Sequence, residues 1–100
     1  MIQLDSQRIA AFCRQWRVAE LALFGSALRP DFGPHSDVDV LVSFEPQARV
    51  SLFDLMEMQA ELEEIFGRPV DLATRRGIQS SRNRLRREAI LSTARVVYAA

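Results

Sequence analysis

The chain is expected to fold as one α+β domain, an α/β mixed sheet of three strands or slightly more with helices packed on one face. Three observations point there. The run DVDVLVSF alternates apolar and polar residues except at Leu41, a helix-period stretch follows it, and a further short apolar run, PVDLAT, follows that helix. One hundred residues, 48% apolar and 26% charged, suit a single domain over residues 1–100. A chain of this length buries roughly 60 to 65% of its extended surface. That is enough for one modest core and too little for a deep substrate cleft of its own.

Each element has a local cause. Asp5 and Ser6 can cap a helix whose apolar residues Ile9, Phe12, Cys13 and Trp16 recur at helical spacing, with Arg8, Arg14 and Arg17 outside. VAELALF at Val18–Phe24 reads as a short apolar strand ending at Gly25-Ser26. Pro30, Gly33 and Pro34 limit the following segment to a turn of helix and loop. Over residues 37–44 the alternation sets Val38, Val40, Val42 and Phe44 on one face and Asp37, Asp39, Leu41 and Ser43 on the other. Ser51 and Asp54 form a capping-box pattern opening a helix through Phe66, with Gly67 as its stop. Its expected buried stripe is Leu52, Leu55, Met56, Gln59, Leu62, Ile65 and Phe66, and its expected solvated acids are Glu57, Glu61, Glu63 and Glu64. Residues 69–74 make a third strand with Asp71 opposite in direction to Val70 and Leu72. Residues 77–91 are expected as one Arg-rich helix anchored by Ile78, Leu85, Ala89 and Ile90, before the apolar string Val96-Val97-Tyr98, which should pack against the chain itself.

Charge is balanced in total and uneven along the chain. All 13 basic residues are Arg, against 13 acids. Residues 1–74 hold six Arg and twelve acids, whereas residues 75–100 hold seven Arg and only Glu88. Overall neutrality disfavours direct nucleic-acid binding, since a basic patch would be offset by the acidic body. Arg82, Arg86 and Arg87 are better suited to docking a protein partner. A single cysteine, Cys13, excludes an intrachain disulfide and suits a core position. No apolar run approaches a membrane span and no leader pattern opens the chain, so a cytoplasmic location is expected.

The order of elements brings the polar residues together. Gly25-Ser26 ends one strand and Asp37 begins the next, so they meet only if the two strands are antiparallel. The helix at Leu52–Phe66 then acts as a right-handed crossover to a parallel strand, which sets Asp71 beside Asp37 and Asp39. Three ionised carboxylates on one face repel one another, the chain has no Lys to offset them, and a divalent cation would. Same-face neighbours roughly 6.5 to 7 Å apart can both lean onto two ions about 3.5 to 4 Å from each other. Oxygen-only donors favour magnesium or manganese over zinc. Gly25 permits close backbone approach, and Ser26 opens a turn whose N–H groups suit a polyphosphate.

The segment LFGSALRPDFGPHSDVDVLVSFEP, with Gly-Ser, ten residues and Asp-x-Asp, resembles the minimal nucleotidyltransferase family of the DNA polymerase beta-like superfamily. The likeness continues through SLFDLMEMQAELEEIFGRPVDLAT and covers nearly the whole chain. It implies the minimal nucleotidyltransferase fold and a transfer from ATP. The triphosphate would lie on Gly25 and Ser26, Asp37 and Asp39 would bind two magnesium ions, and Asp71 would bind the catalytic one and help deprotonate the attacking hydroxyl. Arg29 falls where relatives often place an arginine that can reach a phosphate. His35 and Pro30 depart from the family pattern without removing a ligand. Members of this family are commonly antitoxins paired with a HEPN-domain ribonuclease toxin, and some transfer AMP to a toxin tyrosine. The resemblance thus implies an antitoxin enzyme with ATP and a HEPN toxin as partners. A competing reading is a catalytically weak or inactive antitoxin that neutralises its partner by binding and occlusion, and a third is an RNA-handling domain using the Arg-rich helix. Oligomeric state is left open.

Overall fold

The computed structural model describes residues 4–25 and 37–100. Four strands form one mixed sheet in the order β3-β2-β1-β4. The chain runs α1 (Ser6–Gln15), β1 (Val18–Phe24), β2 (Val38–Phe44), α2 (Leu52–Phe66), β3 (Val70–Thr74), α3 (Arg75–Gln79), α4 (Arg84–Thr93) and β4 (Arg95–Ala99). As expected, β1 pairs antiparallel with β2, and β2 pairs parallel with β3 through the α2 crossover. The terminal apolar string is β4, antiparallel to β1, and Val97 and Tyr98 pack on the core.

The main core lies between the sheet and α1 and α2. Ile9, Phe12 and Cys13 from α1 and Met58, Leu62 and Phe66 from α2 meet Leu21, Leu23, Val38, Val40 and Val42. Asp5 caps α1 by accepting from the Arg8 N–H at 3.1 Å. Ser51 and Asp54 bond each other's backbone N–H at 3.1 and 2.9 Å, the reciprocal box its spacing predicts, and Gly67 ends α2 with φ of +67°. A cap of this kind contributes about 1 kcal/mol.

The opposite sheet face carries a smaller core of Ala22, Phe24, Leu41, Ile78 and Ile90. Helices therefore cover more than the single face expected: α1 and α2 form the main layer, while α3 and α4 cover the middle of the second. On the aspartate face Leu41, Ala22 and Phe24 all require this cover, being 1%, 1% and 5% exposed.

Three local expectations are corrected. The buried stripe of α2 runs through Leu55, Met58, Leu62, Ile65 and Phe66, with Leu52, Met56 and Gln59 outside it. Two of the supposedly solvated acids have structural partners: Glu61 accepts from the Trp16 indole N–H, and Glu63 accepts from the Val70 N–H. The Arg-rich helix is two helices. Ser80 closes α3, and Asn83 restarts the chain as α4 by accepting from the Arg86 N–H, a side-chain bond that competes with continuing the helix. Of the predicted anchors, Ile78 and Ile90 are buried, whereas Leu85 and Ala89 face solvent.

Candidate active site

Strand pairing places the aspartates at one end of the sheet. Asp39 and Asp71 are direct partners in the β2/β3 register, and Asp37 lies two residues before Asp39, immediately ahead of β2. Neighbouring strands are about 4.8 Å apart, so the paired aspartates project from adjacent backbone positions. The anchor at this end is the Val38 N–H, which donates to the Pro69 carbonyl at 2.9 Å. One residue further, the Val70 N–H donates to Glu63 Oε2 at 3.0 Å, so α2 holds the start of β3 just before Asp71. Nothing in the local sequence pattern marked Glu63 for that role, because its partner lies across a helix-to-strand turn.

Gly25 completes the edge. It follows Phe24, the β1 partner of Asp39, and has φ of +62°. A Cβ built on it would stand 2.5 Å from Asp39 Oδ2. Backbone conformation and proximity to a carboxylate therefore both require glycine here. Ser26, Arg29, His35 and Pro30 lie outside the described residues.

Asp39 is half-buried, and Asp37 and Asp71 are exposed. Among the described residues, no three His, Cys, Asp or Glu side chains are gathered closely enough to hold a metal ion as they stand. The aspartates share a face and an end of the sheet without converging on one point. Their type, carboxylate oxygen only, suits magnesium or manganese, and the space at Gly25 keeps the Asp39 carboxylate approachable.

The same face carries a polar cluster at its other end that the sequence reading did not single out. Glu20 and Ser43 are register partners. Arg75 joins them, donating from Nη2 to Glu20 Oε1 at 2.9 Å and from Nε to Ser43 Oγ at 3.0 Å. Strand parity alone would have put Glu20, Ser43 and Asp39 on one face; the arginine is added only by the turn from β3 into α3. Cys13, by contrast, belongs to the core. Burial pushes its thiol up from 9.0 to about 12, with Arg14 opposing weakly, so it stays protonated and unreactive at neutral pH.

The site is thus a small mixed sheet with an Asp-x-Asp strand, a parallel neighbour bearing a third aspartate and a left-handed glycine against Asp39. The model of the family described as nucleotidyltransferase domain matches residues 6–97, and the chain belongs to that family. Protein adenylyltransferase MntA of Thermococcus cleftensis is 38% identical over 63 residues, 63% of this chain and 62% of that protein. A candidate protein adenylyltransferase of Methanocaldococcus jannaschii is 36% identical over 74 residues, 73% of this chain and 77% of that protein. The matches to other relatives span about two thirds of their length, 66% in one and 65% in another. Among solved structures, a candidate minimal nucleotidyltransferase superposes with a TM-score of 0.67 at 30% identity, covering 89% of this chain and 85% of that one. A toxin-antitoxin crystal structure with AMP-PNP shares the fold, with a TM-score of 0.71 at 18% identity, over 97% of this chain and 75% of that one.

Proposed function

We propose that this protein is a magnesium-dependent nucleotidyltransferase that moves AMP from ATP to a tyrosine hydroxyl of a partner HEPN-domain ribonuclease toxin, and so acts as its antitoxin. The observation that carries this reading is the pairing of Asp39 with Asp71 at the strand end where Gly25 lies against Asp39. The names of the relatives, protein adenylyltransferases, and the toxin-antitoxin neighbour with AMP-PNP support it.

In this reading Asp37, Asp39 and Asp71 are the residues that would hold two magnesium ions, with manganese able to substitute. Gly25, Ser26 and Arg29 receive the triphosphate. When bound, the ions supply positive charge to the phosphate oxygens and the leaving group. The acceptor oxygen bonds to the α-phosphorus, the bond from that phosphorus to the bridging oxygen breaks, and pyrophosphate leaves with the electron pair. The hydroxyl proton passes to the Asp71 carboxylate, which β3 holds at the exposed edge of the site. A cytoplasmic setting accords with a lone cysteine kept as a buried thiol.

The test is incubation with labelled ATP, magnesium and the toxin encoded beside this chain. The toxin gains AMP with wild type and gains none with Asp37→Asn/Asp39→Asn. A complex that forms without any mass gain overturns the transferase reading. Survival of toxin-expressing cells supplied with the double variant would instead establish neutralisation by occlusion.

A further inference from the structure

The first turns of α2 leave three large apolar side chains in solvent: Leu52 is 73% exposed, Phe53 78% and Met56 63%. Leu52 and Met56 flank Leu55, three residues before it and one after, and Leu55 forms part of a half-open cavity of about 640 Å³. Phe44, Val50 and Leu55 supply apolar lining to that cavity, and Arg49 and Arg76 stand at its rim. Neither of these guanidiniums makes an ion pair with a described residue, whereas the neighbouring Arg75 is held by Glu20. Only Glu45 among the lining residues opposes them. Leu52 and Met56 lie one helical turn apart beside the cavity, with Phe53 about 60° further round α2, and exposed apolar side chains next to a cavity of ligand-binding size and two arginines that form no ion pair with a described residue are the pattern of a protein contact surface.

We infer that this surface docks the partner protein through an amphipathic segment with apolar anchors for Phe53, Met56 and the cavity and carboxylates for Arg49 and Arg76. The inference rests on the reading that the chain acts on a protein partner. Charge complementarity selects the occupant: two unpaired arginines beside an apolar stripe match an acidic, apolar peptide face. A nucleic acid would leave Phe53 and Met56 without partners. The surface lies at the C-terminal ends of β2 and β3, while the aspartates lie at their N-terminal ends. Asp39 and Ser43 are four residues apart along β2, which separates the two by roughly 13 Å. A partner held here leaves the aspartate end open to an acceptor hydroxyl.

The experiment measures binding of the full chain to the co-expressed HEPN-domain toxin by calorimetry, with AMP transfer followed in parallel. Phe53→Ser/Met56→Ser and Arg49→Glu/Arg76→Glu each weaken binding at least tenfold, while Leu85→Ser, an equally exposed leucine change on α4, and Asp37→Asn/Asp39→Asn leave binding unchanged. Binding within twofold of wild type for both surface variants overturns the docking site and leaves the transferase reading intact. So does an equal loss with Leu85→Ser. Loss of binding confined to the surface variants, together with no AMP transfer by wild type, upholds the docking site and overturns the transferase reading. No complex with wild type overturns both. If the surface variants only convert a dimer of this chain to monomer, the occupant is a second copy and the inference falls.

Discussion

A methyl group added to Gly25 would stand 2.5 Å from Asp39 Oδ2, closer than any van der Waals contact allows. The glycine ends β1 in a left-handed conformation, φ +62°, at the point where its strand neighbour carries the carboxylate. Gly25→Ala therefore strains the backbone by about 1 to 2 kcal/mol and also displaces Asp39. The expected result is a melting temperature lower by about 4 to 15 °C, with AMP transfer lost by about a hundredfold or more. Circular dichroism and a transfer assay on the same sample check both.

Asp71 is exposed on β3 and next to Asp39, so its charge adds repulsion to the apo fold. Asp71→Asn is expected to melt no lower than wild type while losing transfer. Magnesium should raise the wild-type melting temperature, because an ion bound only by the folded state stabilises it, and should raise that of the variant less. Melting curves with and without magnesium or EDTA decide the matter.

Met56 and Met58 differ by two residues and about 200° of helical rotation. Met58 is fully buried and Met56 is 63% exposed. Met58→Ala should cost about 2 to 5 kcal/mol, and Met56→Ala should stay within about 0.5 kcal/mol of wild type. Urea unfolding of the two variants measures the contrast.

Cys13 has its thiol raised to about 12 by burial, so between pH 9 and 12 the unfolded chain ionises there while the folded chain keeps its proton. The folded state binds more protons in that window, and stability consequently falls as pH rises, by at most about 1.4 kcal/mol per unit. Cys13→Ala should flatten the slope of stability against pH above 9, starting from a lower value because a packed sulfur is removed. Denaturant titrations across that range test the slope, and slow alkylation of native wild type at neutral pH tests the burial.

Much of the candidate site is legible in the sequence. The two-residue strand period in DVDVLVSF set Asp37 and Asp39 on one face, and the helical length between that strand and PVDLAT required a crossover that brings Asp71 alongside. Ser26 and Arg29 fall outside the described residues, so the part of Ser26 rests on its place after the β1 glycine and that of Arg29 on the resemblance. Glu63 at the Val70 N–H, and Arg75 between Glu20 and Ser43, were not legible, since each joins residues of different elements through turns whose direction no local pattern encodes.

By itself, then, the sequence determined which residues share a strand face, where α2 starts and stops, and that a glycine closes β1. These follow from backbone periods and capping chemistry acting over a few residues. Tertiary structure alone decided which part of the broad apolar surface of α2 is buried, that the Arg-rich segment breaks at Asn83, and that β4 completes the sheet beside β1. Burial depends on where neighbouring elements end. The sheet and α1 cover Met58 and Leu62 and do not reach Leu52 and Met56, and so part of a stripe that looks like core in the sequence becomes open surface in the fold.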